Sequence, residues 1–161
     1  MNEASQSLNR FLVQMFNNIL KIEEHSLRQS RFSDVSLSEM HLLEAAGDIL
    51  RSGSEQECNM TALAEKLGIT MGSLTVAVNT LVRKGYLKKQ RNEKDRRVVL
   101  LELTEAGSLA DEHHRRFHNE LVEAVTVALE PEQLAVLVHS LNILRHFFEK
   151  KYFIKGAAYA D

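Results

Sequence analysis

Eight basic residues and two acidic residues lie between Arg83 and Arg97, which gives this short segment a local charge of +6. The whole chain has a net charge of −2, so the rest of it carries −8. Lysine and arginine side chains held together bind phosphates, because each contact releases counterions condensed on a nucleic acid. A basic segment on an acidic protein therefore predicts a localised polyanion site, with a solvated surface loop as the alternative interpretation.

The residues just before this segment predict a helix from Gly72 to Lys84. At 100° per residue, one arc of this helix is apolar and must face the core, namely Leu74, Ala77, Val78 and Leu81. The opposite face has no acidic residue and consists of Gly72, Ser73, Thr75, Val76, Asn79, Thr80 and Arg83. An exposed valine suits a thymine methyl group, and Asn79 suits an adenine edge or a phosphate. We therefore expect this face to read DNA, whereas a merely solvated face would more commonly carry Glu–Lys pairs.

The basic segment itself predicts a β-hairpin, with strands at Tyr86–Arg91 and Arg97–Leu103 and a polar tip at 92–95. Asp95 lies two residues before Arg97 and can hold its guanidinium extended by a charge-assisted hydrogen bond. We expect Arg97 to enter a narrow minor groove. The full set of residues predicted to contact DNA is Thr70, Gly72, Ser73, Thr75, Val76, Asn79, Arg83, Lys94, Asp95, Arg96 and Arg97.

Apolar residues at spacings of three and four predict the helices that position this module. They indicate helices over 4–28 and 37–51, the second after a capping box from Ser36 to Glu39. A short helix over 61–67 and a turn at 68–70 complete a helix-turn-helix, and Gly85 ends its second helix. Long helices begin at Thr104 and at Pro131. The predicted fold class is mainly α with a small β-hairpin wing.

Composition excludes several other classes of protein. Seven glycines and one proline are too few for a β-sandwich or a disordered chain. No apolar run approaches the ~18 residues of a membrane span, and the N-terminus has no signal-peptide pattern. The single Cys58 is interpreted as a small apolar residue. Without a membrane span or a signal-peptide pattern, we expect a cytoplasmic protein with no membrane partner. Catalytic motifs are absent, so we also expect that it is not an enzyme and has no cofactor.

The segment from Thr61 to Gly107, with an Asp95-x-Arg97 wing followed by the L-T-x-x-G motif of 103–107, resembles the MarR family of bacterial transcription regulators. That resemblance implies a winged helix-turn-helix homodimer whose N- and C-terminal helices interlock. The resemblance implies a single domain over 1–161. In this domain the dimerisation helices lie at 4–30 and 104–155, and the DNA-binding region lies at 37–103. A homodimer on double-stranded DNA prefers an inverted-repeat operator.

A narrower resemblance lies in residues 16–20, 22–24, 30–37, 39–41 and 116–118, which are similar to the FabT-like branch of that family. Members of that branch repress fatty-acid synthesis genes. The resemblance therefore implies a long-chain acyl-acyl carrier protein as co-repressor. An acyl chain requires an apolar tunnel, and the candidate lining residues are Phe16, Leu20, Phe32, Met40 and Leu43. Ordinary core packing is the alternative for each of them.

The histidines support a second interpretation. His114 and His118 lie four residues apart and share one face of a helix. With His41 and Glu24 they could complete a four-ligand metal site, which resembles the zinc-responsive branch of the family. Polar side chains on a helix face are the alternative to a metal site, and a small-molecule-responsive repressor also remains open. A winged helix used only for protein docking is disfavoured, because it would need neither the basic segment nor the acid-free face.

Overall fold

The structure is a computed structural model, and it describes residues 2–52, 58–93 and 95–152. Within these residues the elements, in chain order, are α1 (Glu3–Gln29), α2 (Leu37–Arg51), α3 (Met60–Leu67), α4 (Met71–Arg83), β1 (Leu87–Arg91), β2 (Val99–Leu103), α5 (Glu105–Ala128) and α6 (Pro131–Tyr152). This architecture confirms the predicted fold class. Residues 153–155 of the predicted dimerisation region lie outside the described residues.

The chain divides into two compact units, Met1–His41 and Leu42–Asp161. In the first unit, α1 begins after Asn2, whose side chain accepts a hydrogen bond from the Ser5 N–H at 2.8 Å. The predicted capping box at the start of α2 is confirmed: the Ser36 N–H donates to Glu39 Oε2 at 2.7 Å, and the Glu39 N–H donates to Ser36 Oγ at 3.3 Å. These bonds satisfy amide groups that a helix N-terminus leaves without an intrahelical partner.

Large apolar side chains on three helices are exposed in the single chain. On α1 they are Leu8, Phe11, Val13, Met15, Phe16, Leu20 and Ile22. On α5 and α6 they are Val122, Val125, Val127, Val136, Val138, Leu141, Ile143, Phe147 and Phe148. Exposed apolar area on this scale is unusual for a lone protein and is typical of an interaction surface. Among the described residues, no helix has both the length and the apolar character required to cross a membrane.

The core of the second unit lies beneath α4. Three of the four residues on the face of α4 predicted to be apolar, Leu74, Val78 and Leu81, are inaccessible to solvent, whereas Ala77 is half-buried. Further fully buried side chains of this unit are Leu42, Leu43, Leu63, Leu87 and Leu101. Because one face of α4 is committed to this core, its opposite face must point to solvent.

The connection from α4 into the hairpin depends on Gly85. This residue has φ +83°, a left-handed conformation that glycine adopts without a Cβ penalty. The Tyr86 N–H then donates to the Leu81 carbonyl at 2.9 Å, which closes the end of the helix. The chain leaves this turn as β1, which pairs antiparallel with β2 in a register that runs from Leu87↔Leu103 to Arg91↔Val99.

The second strand is shorter than predicted. It begins at Val99 rather than Arg97, because Asp95 closes a turn with the residues that follow it. The Val98 N–H donates to the Asp95 carbonyl at 2.9 Å, and the Arg97 N–H donates to Asp95 Oδ1 at 3.0 Å. Arg97 therefore lies in the wing turn and not in the sheet.

The L-T-x-x-G motif joins the hairpin to α5. Thr104 caps α5 by accepting a hydrogen bond from the Gly107 N–H at 3.0 Å, and its hydroxyl donates to the Gly85 carbonyl at 2.6 Å. Gly107 is buried against the backbone, and a Cβ added there would overlap the Tyr86 carbonyl oxygen. Packing therefore requires Gly107 in this motif, because only glycine lets α5 approach the end of α4 so closely.

We predict that Gly107→Ala lowers the free energy of unfolding by about 2 kcal/mol, because the new methyl group must displace backbone. Chemical denaturation monitored by circular dichroism measures the loss. Gly72→Ala is the matched control, since its Cβ would meet only Thr70 Oγ1 at 3.9 Å. That variant should lie within about 1 kcal/mol of the wild type. Equal stability of the two variants would show that the close approach at Gly107 does not matter.

Candidate nucleic-acid interface

The exposed face of α4 carries the residues predicted to read DNA. Thr70 caps the helix: its Oγ1 accepts from the Ser73 N–H at 3.2 Å and donates to Ser73 Oγ at 3.0 Å. Val76 has 68% of its surface exposed although it is aliphatic. The other exposed members of the predicted set on this helix are Gly72, Ser73, Thr75, Asn79 and Arg83, whereas Thr80 is half-buried. The predicted division of α4 into a core face and an outward face is confirmed, and DNA contact by the outward face stays a prediction.

Internal hydrogen bonds limit what the threonines on this face can offer. The Thr75 hydroxyl donates to the Met71 carbonyl at 2.7 Å, and the Thr80 hydroxyl donates to the Val76 carbonyl at 3.0 Å. A hydroxyl has one proton, so each of these side chains has only acceptor lone pairs and a methyl group left for a ligand.

The wing turn holds Arg97 outward, as predicted. Asp95 accepts two hydrogen bonds from the guanidinium, from Nε to Oδ1 at 3.1 Å and from Nη2 to Oδ2 at 3.2 Å. Hydrogen bonds from the Arg97 side chain and backbone hold the pKa of the Asp95 carboxyl below its usual value. The Arg97 side chain is 92% exposed, so the pairing directs the cation into solvent. Lys94, also predicted to contact DNA, lies outside the described residues.

Lys89 on β1 contacts a residue of the predicted site, and the sequence interpretation missed it. Its Nζ donates to Asn79 Oδ1 at 2.5 Å, which joins the strand to the outward face of α4. The sequence does contain a signal for this placement. Alternate residues of a strand share a face, and Lys89 lies two residues from Leu87, whose side chain is buried.

Ion pairs brace the helices behind this interface. Arg51 at the end of α2 binds the Asp111 carboxylate on α5, and its Nη2 also lies 2.9 Å from Asp48 Oδ1. Lys66 of α3 lies 3.2 Å from the second oxygen of Asp48. The Asp111 side chain is only 4% exposed, and its hydrogen bond raises the pKa of the Arg51 guanidinium. These charges tie α2, α3 and α5 to one another.

A cavity of about 670 Å³ lies beside these ion pairs. Its lining is mixed: Arg51, Glu102, Asp111, Glu112 and Arg115 are charged, Ser108 is polar, and Gly47, Leu50 and Leu103 are apolar.

The structure corrects one residue of the predicted metal site. Glu24 is half exposed and pairs with Arg28 at 2.6 Å. Glu23 is the acid beside His41 instead, with Oε2 3.8 Å from His41 Nε2. Neighbouring helical residues point about 100° apart, so the two glutamates cannot exchange roles.

The predicted pairing of two histidines on α5 is observed. His114 Nε2 and His118 Nε2 lie 3.1 Å apart, and His114 Nε2 lies 3.5 Å from Glu44 Oε2. Imidazole and carboxylate are ligands that zinc prefers. Metal binding by these residues stays a prediction.

The residues predicted to line an acyl tunnel differ in their burial. Phe32, Met40 and Leu43 are buried, whereas Phe16 is 65% exposed and Leu20 is 49% exposed. Phe16 and Leu20 therefore face solvent in the single chain. The tunnel itself stays a prediction.

Cys58 is buried, as expected of a small apolar residue. Burial raises the pKa of its thiol to about 11. Its carbonyl oxygen accepts a hydrogen bond from the Leu101 N–H at 2.7 Å, so this segment pairs with β2. A protonated, enclosed thiol is a poor nucleophile, which argues against redox sensing at this position.

Comparisons with known proteins agree with this geometry. The model of the MarR family matches residues 37–99. The crystal structure of Streptococcus pneumoniae FabT in complex with DNA is 38% identical in sequence, with a TM-score of 0.82, over 91% of this chain and 98% of that one. The transcriptional regulator AdcR of S. pneumoniae is 28% identical over 89% of this chain and 97% of that regulator. The multiple antibiotic resistance protein MarR of Escherichia coli is 27% identical over 80% of this chain and 93% of that protein.

We predict that Cys58 reacts with a thiol reagent such as iodoacetamide at least about 100-fold more slowly in the folded protein than in urea. The raised pKa alone lowers the thiolate population by that factor at neutral pH. Mass spectrometry of timed samples measures the rates. Labelling of the folded protein at the rate of the unfolded chain would contradict the burial of this thiol.

Proposed function

This chain belongs to the MarR family of DNA-binding transcriptional regulators, and we propose that it acts as a homodimeric repressor on an inverted-repeat operator. The observation that carries the proposal is the pairing of an acid-free, solvent-facing side of α4 with an arginine held outward by Asp95. The first suits the major groove and the second suits the adjacent minor groove. The structure of a protein 38% identical to this chain was solved in complex with DNA, which supports DNA as the partner.

The exposed apolar side chains of α1, α5 and α6 support the homodimer. A second copy of the chain would remove this area from water, which is the main favourable term in protein association. Two-fold symmetry would place two copies of α4 in successive major grooves about 34 Å apart. Operator binding excludes polymerase from a promoter, which is why we propose repression.

The proposed targets are fatty-acid synthesis genes, with long-chain acyl-acyl carrier protein as co-repressor. The FabT-like resemblance of residues 16–20, 22–24, 30–37, 39–41 and 116–118 implies this role, and the 38% identity to FabT supports it. Phe32 and Met40 are buried apolar residues of the first unit that suit the wall of an acyl tunnel.

Zinc is the second candidate effector, and the geometry of the histidines favours it. The His114–His118 pair next to Glu44 and the Glu23–His41 pair are the observations that support it.

We expect Arg97→Ala to weaken operator binding by about 1 to 3 kcal/mol, because the variant removes the cation that the wing presents. Fluorescence anisotropy with an operator selected from random duplexes measures the change. Arg28→Ala is the matched control: it removes an exposed arginine of α1 that is outside the predicted contact set, and its affinity should not change. The affinity of the wild type should also fall steeply with salt. A salt-independent affinity would remove the DNA assignment, and an unchanged affinity of Arg97→Ala would remove the wing assignment.

Effector identity is tested by adding candidate ligands to the same titration. We expect C16 or C18 acyl-acyl carrier protein to tighten operator binding, while the unacylated carrier protein, zinc and a chelator leave it unchanged. Tightening by zinc but not by the acylated carrier would refute the fatty-acid assignment and favour the metal site.

A further inference from the structure

We propose that Lys89 orients the Asn79 side-chain amide so that Asn79 offers only hydrogen-bond donors to DNA and selects guanine over adenine. This inference rests on the proposed function, because it assumes that the outward face of α4 lies in the major groove. Its basis is the contact between Lys89 Nζ and Asn79 Oδ1 at 2.5 Å, which links an exposed side chain of β1 to an exposed side chain of α4.

The chemistry of the lysine determines which end of the amide it binds. A lysine ammonium carries three donors and no acceptor, so its partner must be the carbonyl oxygen of the asparagine. The amide nitrogen cannot occupy that position, because two donors would then face each other. The ambiguity between the oxygen and nitrogen of an asparagine side chain is therefore resolved by its neighbour. A charge-assisted bond of this kind is also stronger than a neutral one.

This orientation changes what Asn79 can recognise. An unconstrained asparagine pairs with adenine through two bonds, accepting from N6–H₂ and donating to N7. At Asn79 the ammonium occupies one of the two lone pairs of the carbonyl oxygen, and its positive charge disfavours a second donor, such as the adenine amino group, at the other. The Nδ2 group keeps two donor hydrogens. The ammonium of Lys89 has two more, so the pair presents four donor hydrogens beside one shielded lone pair.

Guanine is the base that matches such a pair. Its major-groove edge carries two adjacent acceptors, N7 and O6, whereas adenine presents an amino donor next to N7. The free asparagine would favour adenine, so the contact with Lys89 reverses the expected preference. Lys89 is thus a positioning residue for specificity, and Asn79 is the residue that contacts the base.

The test compares affinities for operators that carry each base pair in turn at every half-site position. We expect Asn79→Ala to lose discrimination at one position per half-site, where the wild type prefers guanine to adenine by about tenfold. Lys89→Met should shift the preference at that same position towards adenine, because the released amide can again accept from N6–H₂. Lys89→Arg should retain the wild-type preference, since guanidinium also carries only donors.

Lys88→Met is the matched control. It removes the same charge from the neighbouring residue of β1, which is also exposed. Loss of general phosphate attraction should be similar in the two methionine variants, but only Lys89→Met should alter base preference. The inference is overturned if Lys89→Met binds specifically with the wild-type preference at every position, or if Lys88→Met shifts the preference equally.

A second measurement separates this inference from the proposed function. In the DNA-free protein, the Asn79 side-chain amide resonances should move in Lys89→Met and stay in place in Lys88→Met. Movement in both variants or in neither would refute the contact, whatever the protein binds. If the wild-type protein shows no preference among duplexes, the proposed function is refuted, and the proposed preference for guanine is refuted with it.

Discussion

The carbonyl oxygen of Tyr86 is the joint on which the DNA-facing geometry depends. It follows the left-handed Gly85 at the end of α4, and it accepts a hydrogen bond from the Thr104 N–H at 3.0 Å. Gly107 lies directly against it. One backbone group therefore links the end of α4, both strands of the wing and the start of α5. A change in any of these elements must move the others, because packed backbone has no free volume in which to adjust.

The ion pairs of Arg51 also join helices, but they do so through side-chain charges. Asp111 is buried, so its charge would be costly without the guanidinium that binds it. A Cβ added at Gly47 would lie 2.6 Å from Asp111 Oδ2, so a larger residue there would make the carboxylate and the guanidinium shift. Buried ion pairs add little net stability, but they penalise every arrangement that separates the partners. In this protein they specify how α2 and α5 meet.

The basic residues that pair with carboxylates between helices are different from the arginine that the wing turn holds in solvent. The former are already paired with carboxylates, whereas Arg97 is bound to Asp95 in a way that keeps the guanidinium in solvent. An acidic protein with one basic protrusion would repel DNA everywhere except at that protrusion, which orients the encounter. The outward face of α4 then supplies hydroxyl, amide and methyl groups. Hydrogen bonds within the protein already use some of the donors and acceptors of these groups.

Local features of the sequence determined most of the fold. The bounds of α2, the capping box, the glycine after α4 and the buried face of α4 all follow from interactions within a few residues, so periodicity and capping rules predict them. The pairing of Asp95 with Arg97 was predictable for the same reason, since the two residues are two positions apart.

Only the tertiary structure decided contacts between distant positions. Lys89 binds Asn79 across ten residues, and Arg51 binds Asp111 across sixty, and no local pattern specifies such partners. The sequence prediction placed Glu24 with His41, but Glu23 is the acid that lies 3.8 Å from it, and a rotation of 100° about the helix axis separates the two glutamates. The sequence thus determined which elements form and which faces they bury. Packing of those elements decided which polar groups meet, because that depends on angles and distances that periodicity does not contain.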